Sequence, residues 1–136
     1  MRVCLDTNVL VAALATRGLY SDLLRVVLSE HELVIGEHIL AELEHTLSRT
    51  FRLPDDRLAA VRALFTFVEM VPNPLEPSAV EVRDPTDRWI LAIAENGRAD
   101  LLVSGDRDLL AVAHASSVPI ITPRTTWERL RGQSGR

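Results

Sequence analysis

Acidic residues follow two short apolar segments of this 136-residue chain, at the point where each segment ends. Asp6 comes directly after the run Arg2–Leu5, and Asp106 follows Leu101–Val103 after a Ser-Gly pair. Asp87 lies near the start of a predicted helix that leads into Leu101–Val103. Because ligands of open parallel sheets bind outside the carboxyl ends of the strands, we expect these three carboxylates to meet at one edge.

Carboxylates gathered in this way raise one another's pKa values unless a cation lies among them. The donor type favours a hard divalent cation such as Mg²⁺, which takes one or two direct carboxylates and keeps water on its other positions. Such a cation lowers the pKa of bound water and neutralises charge that develops on a phosphodiester. The pattern therefore predicts a site for one or two metal ions that acts on a phosphate ester.

Each acid also has a purely local interpretation. Asp84 and Asp106 are suited to cap helices, and a negative charge at Asp87 would favour the positive end of a helix dipole. We assign capping as the role of Asp84. Glu42 falls in the second turn of a predicted helix that begins at the same sheet edge, and helical periodicity does not distinguish it from neighbouring glutamates.

Strand and helix patterns alternate along the chain, and the strand segments are continuously apolar. This arrangement predicts an α/β fold with a parallel sheet covered by helices on both faces. Strands are predicted at 2–5, 33–35, 101–103 and 118–121, and helices at 9–14, 20–30, 37–50, 54–68, 85–96, 109–115 and 124–131. Three prolines within 70–77 indicate a connector, with a few extended residues before it as an option. One domain is expected over residues 1–131, followed by a frayed tail at 132–136.

Helical spacing and capping signals define several of these elements further. Proline at position 85 is expected to be the first helical residue of its helix. The fourth helix is expected to direct five apolar residues into the core: Leu58, Val61, Leu64, Phe65 and Val68.

Composition limits the possible classes of protein. Arginine alone carries the basic charge, since the chain has no lysine, and the net charge of −4 argues against broad adhesion to nucleic acid. The single cysteine, Cys4, excludes an internal disulfide or a cysteine-based zinc site and is expected to be a core residue. Without a secretory signal or a long apolar span, the expected location is the cytoplasm.

Four stretches resemble the PIN domain family, and in particular small prokaryotic PIN proteins related to the VapC ribonuclease toxins. They occur in the expected order and together span nearly the whole chain: Val3 to Leu10, Ile39 to Leu43, Arg83 to Ala94 and Ala99 to Leu109.

The resemblance implies specific roles for residues in these stretches. It assigns Asp6, Glu42, Asp87 and Asp106 to a catalytic acidic quartet, with Asp6, Asp87 and Asp106 as metal ligands. Asp108 would be an accessory acid, and either Asp106 or Asp108 is expected to be the fourth member. Three polar residues would orient the carboxylates or water, as supporting groups of metal sites do: Thr7, Asn8 and Ser104.

The resemblance also implies an activity and partners. The expected fold is a three-layer α/β/α PIN-like domain with four to five mostly parallel strands. The expected activity is that of a Mg²⁺- or Mn²⁺-dependent endoribonuclease that hydrolyses RNA phosphodiesters with metal-activated water. Such proteins are often the toxin of a toxin–antitoxin pair, commonly form homodimers, and are typically inhibited by an antitoxin that covers the acidic pocket.

Several other classes of protein fit the residues less well. Response-regulator receivers and haloacid-dehalogenase-type phosphatases use a lysine, which this chain lacks. A topoisomerase–primase-like site would use Asp106 and Asp108 but gives Asp6 no role. The remaining alternatives are a PIN-like RNA-binding or scaffold module without catalysis and a metal-dependent hydrolase of another phosphate ester; loss of an acid would favour the former, and all four are present.

Residues near the acids are candidates for contacts with nucleic acid. Three arginines are candidates for holding RNA phosphates, although pairing with neighbouring acids explains them equally well: Arg83, Arg88 and Arg107. We interpret Trp89 as a core or dimer-interface residue, with stacking on a base as the alternative. The four histidines are interpreted as surface or packing residues, although His38 and His45 share one side of a predicted helix.

Overall fold

A parallel sheet with apolar strands forms the centre of the molecule. The computed structural model describes residues 1–134 of the chain. The sheet has five strands, in the order β3-β2-β1-β4-β5. In chain order, they are β1 (Arg2–Leu5), β2 (Glu32–Gly36), β3 (Met70–Val71), β4 (Leu101–Val103) and β5 (Ile120–Ile121). Every pairing between them is parallel, as the continuous apolar segments predict.

Helices connect the strands and cover the sheet, which gives a three-layer α/β/α fold. They are α1 (Thr7–Ala15), α2 (Leu19–Glu30), α3 (Glu37–Arg49), α4 (Asp55–Leu64), α5 (Asp87–Asn96), α6 (Arg107–Ala111) and α7 (Pro123–Ser134). A single 3₁₀ turn, Ala113–Ala115, follows α6. In the described part of the chain, no helix is both long and apolar enough to cross a bilayer.

The strand order gives a switch point at the pair β1 and β4, with a crevice outside the carboxyl ends of these two strands. Val3 of β1 is paired with Leu33 of β2 on one side and with Leu101 of β4 on the other. The chain therefore builds outward in opposite directions from this pair, and a crevice of this kind is where open α/β sheets bind ligands. Asp6 extends the pairing, since its amide donates to the carbonyl of Val103 at 3.0 Å.

The core consists of the inner faces of the helices and both faces of the sheet. Leu23, Leu24 and Val27 of α2 are buried, as are Ile39, Leu43 and Leu47 of α3, in agreement with their predicted stripes. Cys4 is buried as predicted, and this burial raises the pKa of its thiol to about 12. The buried residues of β1, β2 and β4 therefore form the centre of the hydrophobic core.

Leu64 is a correction to the predicted core. Leu58, Val61 and Phe65 are buried, whereas Leu64 is 48% exposed. The three buried residues follow one stripe at helical spacing, and Leu64 lies about 60° beyond its edge. The helix also ends at Leu64, so no further turn covers that side chain.

Several element boundaries also differ from the prediction. Met70 and Val71 form edge strand β3, within the segment predicted as a connector, by pairing with Ile35 and Gly36. The helix predicted to start at Pro85 starts at Asp87, because tight i→i+3 hydrogen bonds, such as that from the Asp87 amide to the Asp84 carbonyl, form a turn first.

The last helices differ in extent from the predicted ones. The predicted helix at 109–115 is instead α6, which starts directly after Asp106, followed by the 3₁₀ turn. Helix α7 extends three residues past the predicted end at 131, to Ser134. Of the tail predicted at 132–136, the last two residues lie outside the described part of the chain.

Candidate active site

Asp6 lies at the carboxyl end of β1, and its side chain is held by Ser104, the residue directly after the neighbouring strand β4. Its side chain is buried, and its Oδ2 accepts a hydrogen bond from the hydroxyl of Ser104 at 2.8 Å. Burial and the charge of Asp106 raise the pKa of Asp6, and hydrogen bonds from Ser104 and the Thr7 backbone partly oppose the rise. The carboxylate is therefore fixed in position but short of compensating positive charge.

Ser104 connects the ends of β1 and β4. It is fully buried, and while its hydroxyl donates to Asp6, the same oxygen accepts the amide hydrogen of Asp106 at 3.0 Å. One hydroxyl thus sets the distance between two acidic turns. This is the arrangement expected of a residue that orients a carboxylate.

Asp87, Asp106 and Asp108 form an acidic triad. Each contributes a carboxylate oxygen, and these oxygens all lie within 4.8 Å of one another. Asp106 caps α6, because its Oδ1 accepts the Asp108 amide at 2.8 Å. Capping and membership of the triad are thus compatible roles, and both candidates for the fourth acid are next to Asp87.

The carboxyl of Asp87 has the most perturbed environment of the three. Its side chain is buried, and its Oδ2 has no hydrogen-bond partner among the described residues. Burial, followed by the charges of Asp106 and Asp84, raises the pKa of Asp87 to about 7. A buried carboxylate oxygen without a partner is costly, so this group needs either a proton or a cation.

The triad fits a hard divalent cation. All its donors are carboxylate oxygens, the ligand type of Mg²⁺ and Mn²⁺. A cation beside Asp87 would also compensate the unpartnered Oδ2 and the repulsion from Asp106. Asp6 is linked to this group through Ser104 and through its electrostatic interaction with Asp106.

Glu42 lies apart from the triad. Its side chain is 51% exposed on α3, and its Oε1 is 3.6 Å from Nε2 of His38. It nevertheless lines the same cleft as Asp6 and Asp87. The structure therefore brings Glu42 to the site region, on a different element and in a more solvated environment than the other acids.

The cleft has a volume of about 870 Å³ and runs between α3 and α5. Thr7 and Asn8, predicted as supporting residues, line it at the start of α1. Gly36 permits the close approach of the two walls, because a Cβ at this position would lie 2.7 Å from Cδ1 of Ile93 on α5. The cleft therefore combines apolar side chains of α5, Ile90 and Ile93, with the carboxylates of Asp6 and Asp87.

Eleven lining residues were not predicted to belong to a functional site. They are His38, Ile39, Ala41, His45, Thr46, Asn73, Pro74, Thr86, Trp89, Ile90 and Ile93. The shared helix side of His38 and His45 was the available signal, since Glu42 lies on it as well. Asn73 could not have been found in this way, because it reaches α3 from the loop after β3, where its Oδ1 accepts the His38 amide at 3.1 Å.

Trp89 is not a core residue. It is 42% exposed and lines the cleft, two positions after Asp87. The prediction of core packing is therefore wrong for this side chain, because it lies at the start of α5, where the helix borders the cleft. The other option, a place in a dimer interface, stays a prediction.

The three candidate arginines lie outside the cleft lining. Nε of Arg88 donates to the carbonyl of Ser78 at 3.0 Å, which ties the segment before α5 to the helix. Arg83 and Arg107 are exposed. Asp84 is also exposed, and its Oδ1 accepts the Thr86 amide at 3.0 Å. The capping role predicted for Asp84 is wrong, because α5 starts at Asp87 with Thr86 at the N-cap position, so this bond lies within the turn that precedes the helix.

Comparisons with known proteins agree with this arrangement. Residues 2–108 match the PIN domain family, a range that includes all the acids described above. The fold is similar to a chain in the crystal structure of VapBC2 from Rickettsia felis bound to a DNA fragment from their promoter, with a TM-score of 0.58 and 17% identity over 89% of this chain and 97% of that one. The sequence has no significant match among curated proteins. PIN domains are generally nucleases, and the extent of the family match shows that this chain belongs to the PIN domain family.

Proposed function

We propose that this chain is a Mg²⁺- or Mn²⁺-dependent endoribonuclease. The observation that carries the proposal is the triad of Asp87, Asp106 and Asp108, in which a buried Asp87 oxygen has no partner among the described residues. Asp6, Asp87 and Asp106 would hold the cation, with Asp108 beside them. When bound, the cation would lower the pKa of a bound water and neutralise charge on the phosphodiester.

The protein's own residues would arrange the site around that cation. Ser104 fixes Asp6 and the turn before Asp106 through its two hydrogen bonds. Thr7, Asn8 and Glu42 line the cleft. Thr7 and Asn8 would contribute polar groups at the same edge, and Glu42 would approach the substrate from α3. Arg83 and Arg107, exposed beside the acidic turns, are proposed to contact flanking RNA phosphates.

Cleavage of RNA by the purified protein tests this activity. We expect cleavage of a labelled oligoribonucleotide in Mg²⁺ or Mn²⁺, its loss in a chelator, and a reduction of at least about 100-fold in Asp6→Asn and Asp87→Asn. Asp22→Asn, which changes a half-buried acid of α2 that does not line the cleft, is the matched control and should retain full activity. Activity that persists in the chelator or in Asp87→Asn would contradict the proposal.

We further propose that the enzyme is the toxin of a cytoplasmic toxin–antitoxin pair and forms a homodimer. The family match and the similarity in fold to VapBC2 support this biological role. Expression is expected to arrest growth, with rescue by a small protein encoded beside it and no arrest by Asp87→Asn. Growth unaffected by active enzyme would separate the nuclease from toxicity.

A further inference from the structure

Trp89 presents an aromatic surface inside the cleft. Trp89 is 42% exposed, whereas Leu91, Ala92, Ile93 and Ala94 of the same helix are buried. It shares a face of α5 with Ile93, four positions later, and Ile90 extends that face. The ring is thus exposed on the functional side of a well-packed helix, with an apolar floor next to it.

This surface is continuous with the carboxylate site. Trp89 is two residues after Asp87, so the two side chains leave α5 in different directions, and Ile90 and Ile93 lie between them around the helix. Both side chains line the same cleft, whose volume of about 870 Å³ is in the range that accepts a nucleotide-sized ligand. A group bound against Trp89 therefore shares the cleft with the carboxylates of Asp6 and Asp87.

The polar groups of the opposite wall suit a heteroaromatic ring. His45 and Thr46 of α3 and Asn73 of the loop after β3 offer hydrogen-bond donors and acceptors at the edge of the cleft. Among the described residues that line it, none is an arginine or lysine. This wall therefore cannot grip RNA mainly through its phosphates, as basic nucleic-acid-binding surfaces do.

We propose that Trp89 is a specificity-determining residue that stacks on the nucleobase flanking the scissile phosphodiester. The inference rests on the proposed nuclease function and adds to it a subsite for one unstacked base, bordered by His45 and Asn73. A base stacked within a duplex is not available to such a ring, so the subsite favours single-stranded or looped RNA. Stacking tolerates different bases, and the polar border would provide any preference among them.

Fluorescence of Trp89 tests the subsite without requiring cleavage. The chain has two tryptophans, and Trp127 packs beneath the Arg131 guanidinium on α7. Trp127→Phe therefore leaves Trp89 as the only tryptophan. In Mg²⁺, nucleoside 5′-monophosphates should quench its emission, whereas ribose 5-phosphate, which lacks a base, should not. The matched variant Trp89→Phe, which retains Trp127, should not respond to either.

Cleavage kinetics supply the second test. Trp89→Ala should raise KM for single-stranded RNA about 5- to 100-fold, and Trp89→Phe should restore most of the loss because the ring is retained. An abasic nucleotide beside the cut site should impair the wild type to a similar extent and have little further effect on Trp89→Ala.

The results separate the subsite from the nuclease. Base-dependent quenching in a protein that cleaves no RNA would support the base subsite at Trp89 and refute the proposed nuclease activity. Cleavage that is unaffected by Trp89→Ala and by the abasic nucleotide, together with no base-dependent quenching, would refute the subsite and retain the nuclease.

Discussion

The carboxyl of Asp87 is poised between a proton and a cation. Its pKa is raised to about 7 by burial and by the charges of Asp106 and Asp84, and one of its oxygens lacks a partner among the described residues. Without a metal, ionisation of this group therefore opposes folding. In a site of this kind, the carboxylates destabilise the metal-free protein and provide affinity for a divalent cation.

Asp87→Asn should stabilise the metal-free protein at alkaline pH. The folded-state pKa of Asp87 lies above its unfolded value of about 3.9, so its favourable contribution is complete below pH 4 and is lost as pH rises through about 7. We expect the variant to gain about 1–3 kcal/mol at pH 8 in EDTA and little at pH 4. Urea denaturation at both pH values measures the difference. A variant less stable than wild type at pH 8 would contradict the assignment.

Ser104→Ala should weaken metal binding through Asp6. It removes the hydroxyl that donates to Asp6 and accepts from the Asp106 amide, and we expect a loss of about 10- to 100-fold in Mn²⁺ affinity by calorimetry. Ser78→Ala is the matched control, since Ser78 is also buried and its hydroxyl donates to Glu95. Both variants should lose stability, but equal loss of Mn²⁺ affinity would contradict a specific role for Ser104.

At the scale of elements, two close approaches hold α5 in place. Gly36, directly before α3, leaves room for the side chain of Ile93, and Gly97, directly after α5, leaves room for the side chains of Val34 and Val71. At Gly97 the obstruction includes backbone, because a Cβ would lie 3.0 Å from the carbonyl oxygen of Ile93. The helix that carries Asp87 and Trp89 is therefore packed tightly against β2.

Gly97→Ala should destabilise the protein by about 1–3 kcal/mol. The new Cβ would lie 2.5 Å from Cγ1 of Val34, and neither that side chain nor the Ile93 backbone can move freely. Gly132→Ala is the control, since a Cβ there meets nothing within 4 Å and alanine favours a helix. Urea denaturation should separate the two variants; the same midpoint for both would show that α5 is not held in this way.

Elements with a strong pattern could be predicted from the sequence, and short ones could not. The stripes of α2 and α3 and the apolar runs of β1 and β4 give clear signals, because burial on one face imposes a period. Strand β3 has only Met70 and Val71, directly before Pro72, and forms through pairing with β2 rather than through its own pattern. Helix α5 starts two residues later than predicted, because a tight turn at Asp84 comes first. Helix propensity alone does not predict such a turn.

Some residues of the candidate site could likewise be predicted from the sequence, and others could not. Asp6 and Asp106 could be predicted because parallel strands bring their carboxyl ends to one edge, and Asp87 because an αβ unit returns to that edge. The exposure of Glu42 and the position of Trp89 depend on how α3 and α5 rotate against each other. That rotation is set by contacts such as Gly36 with Ile93, which a single sequence does not reveal.

At the scale of the whole molecule, metal binding should couple to stability in a pH-dependent manner. Mg²⁺ or Mn²⁺ should raise Tm more at pH 8 than at pH 5, because protons compete for Asp87 and Asp6 at the lower pH. A ligand at 100 times its Kd adds about 2.7 kcal/mol. Thermal unfolding with and without metal measures this, with Asp106→Asn as the variant expected to lose most of the effect. An equal gain in Tm at both pH values would contradict competition with protons.

The central claim is that the acidic triad and Asp6 form one divalent-cation site. A crystal structure with Mn²⁺, phased on the anomalous signal of the metal, tests it most directly. We predict an anomalous peak beside Asp87 and Asp106, with carboxylate oxygens about 2.0–2.3 Å from the ion and Asp6 bound directly or through water. A fully exchanged crystal with no peak at these residues, or with Mn²⁺ bound only elsewhere, would contradict the account.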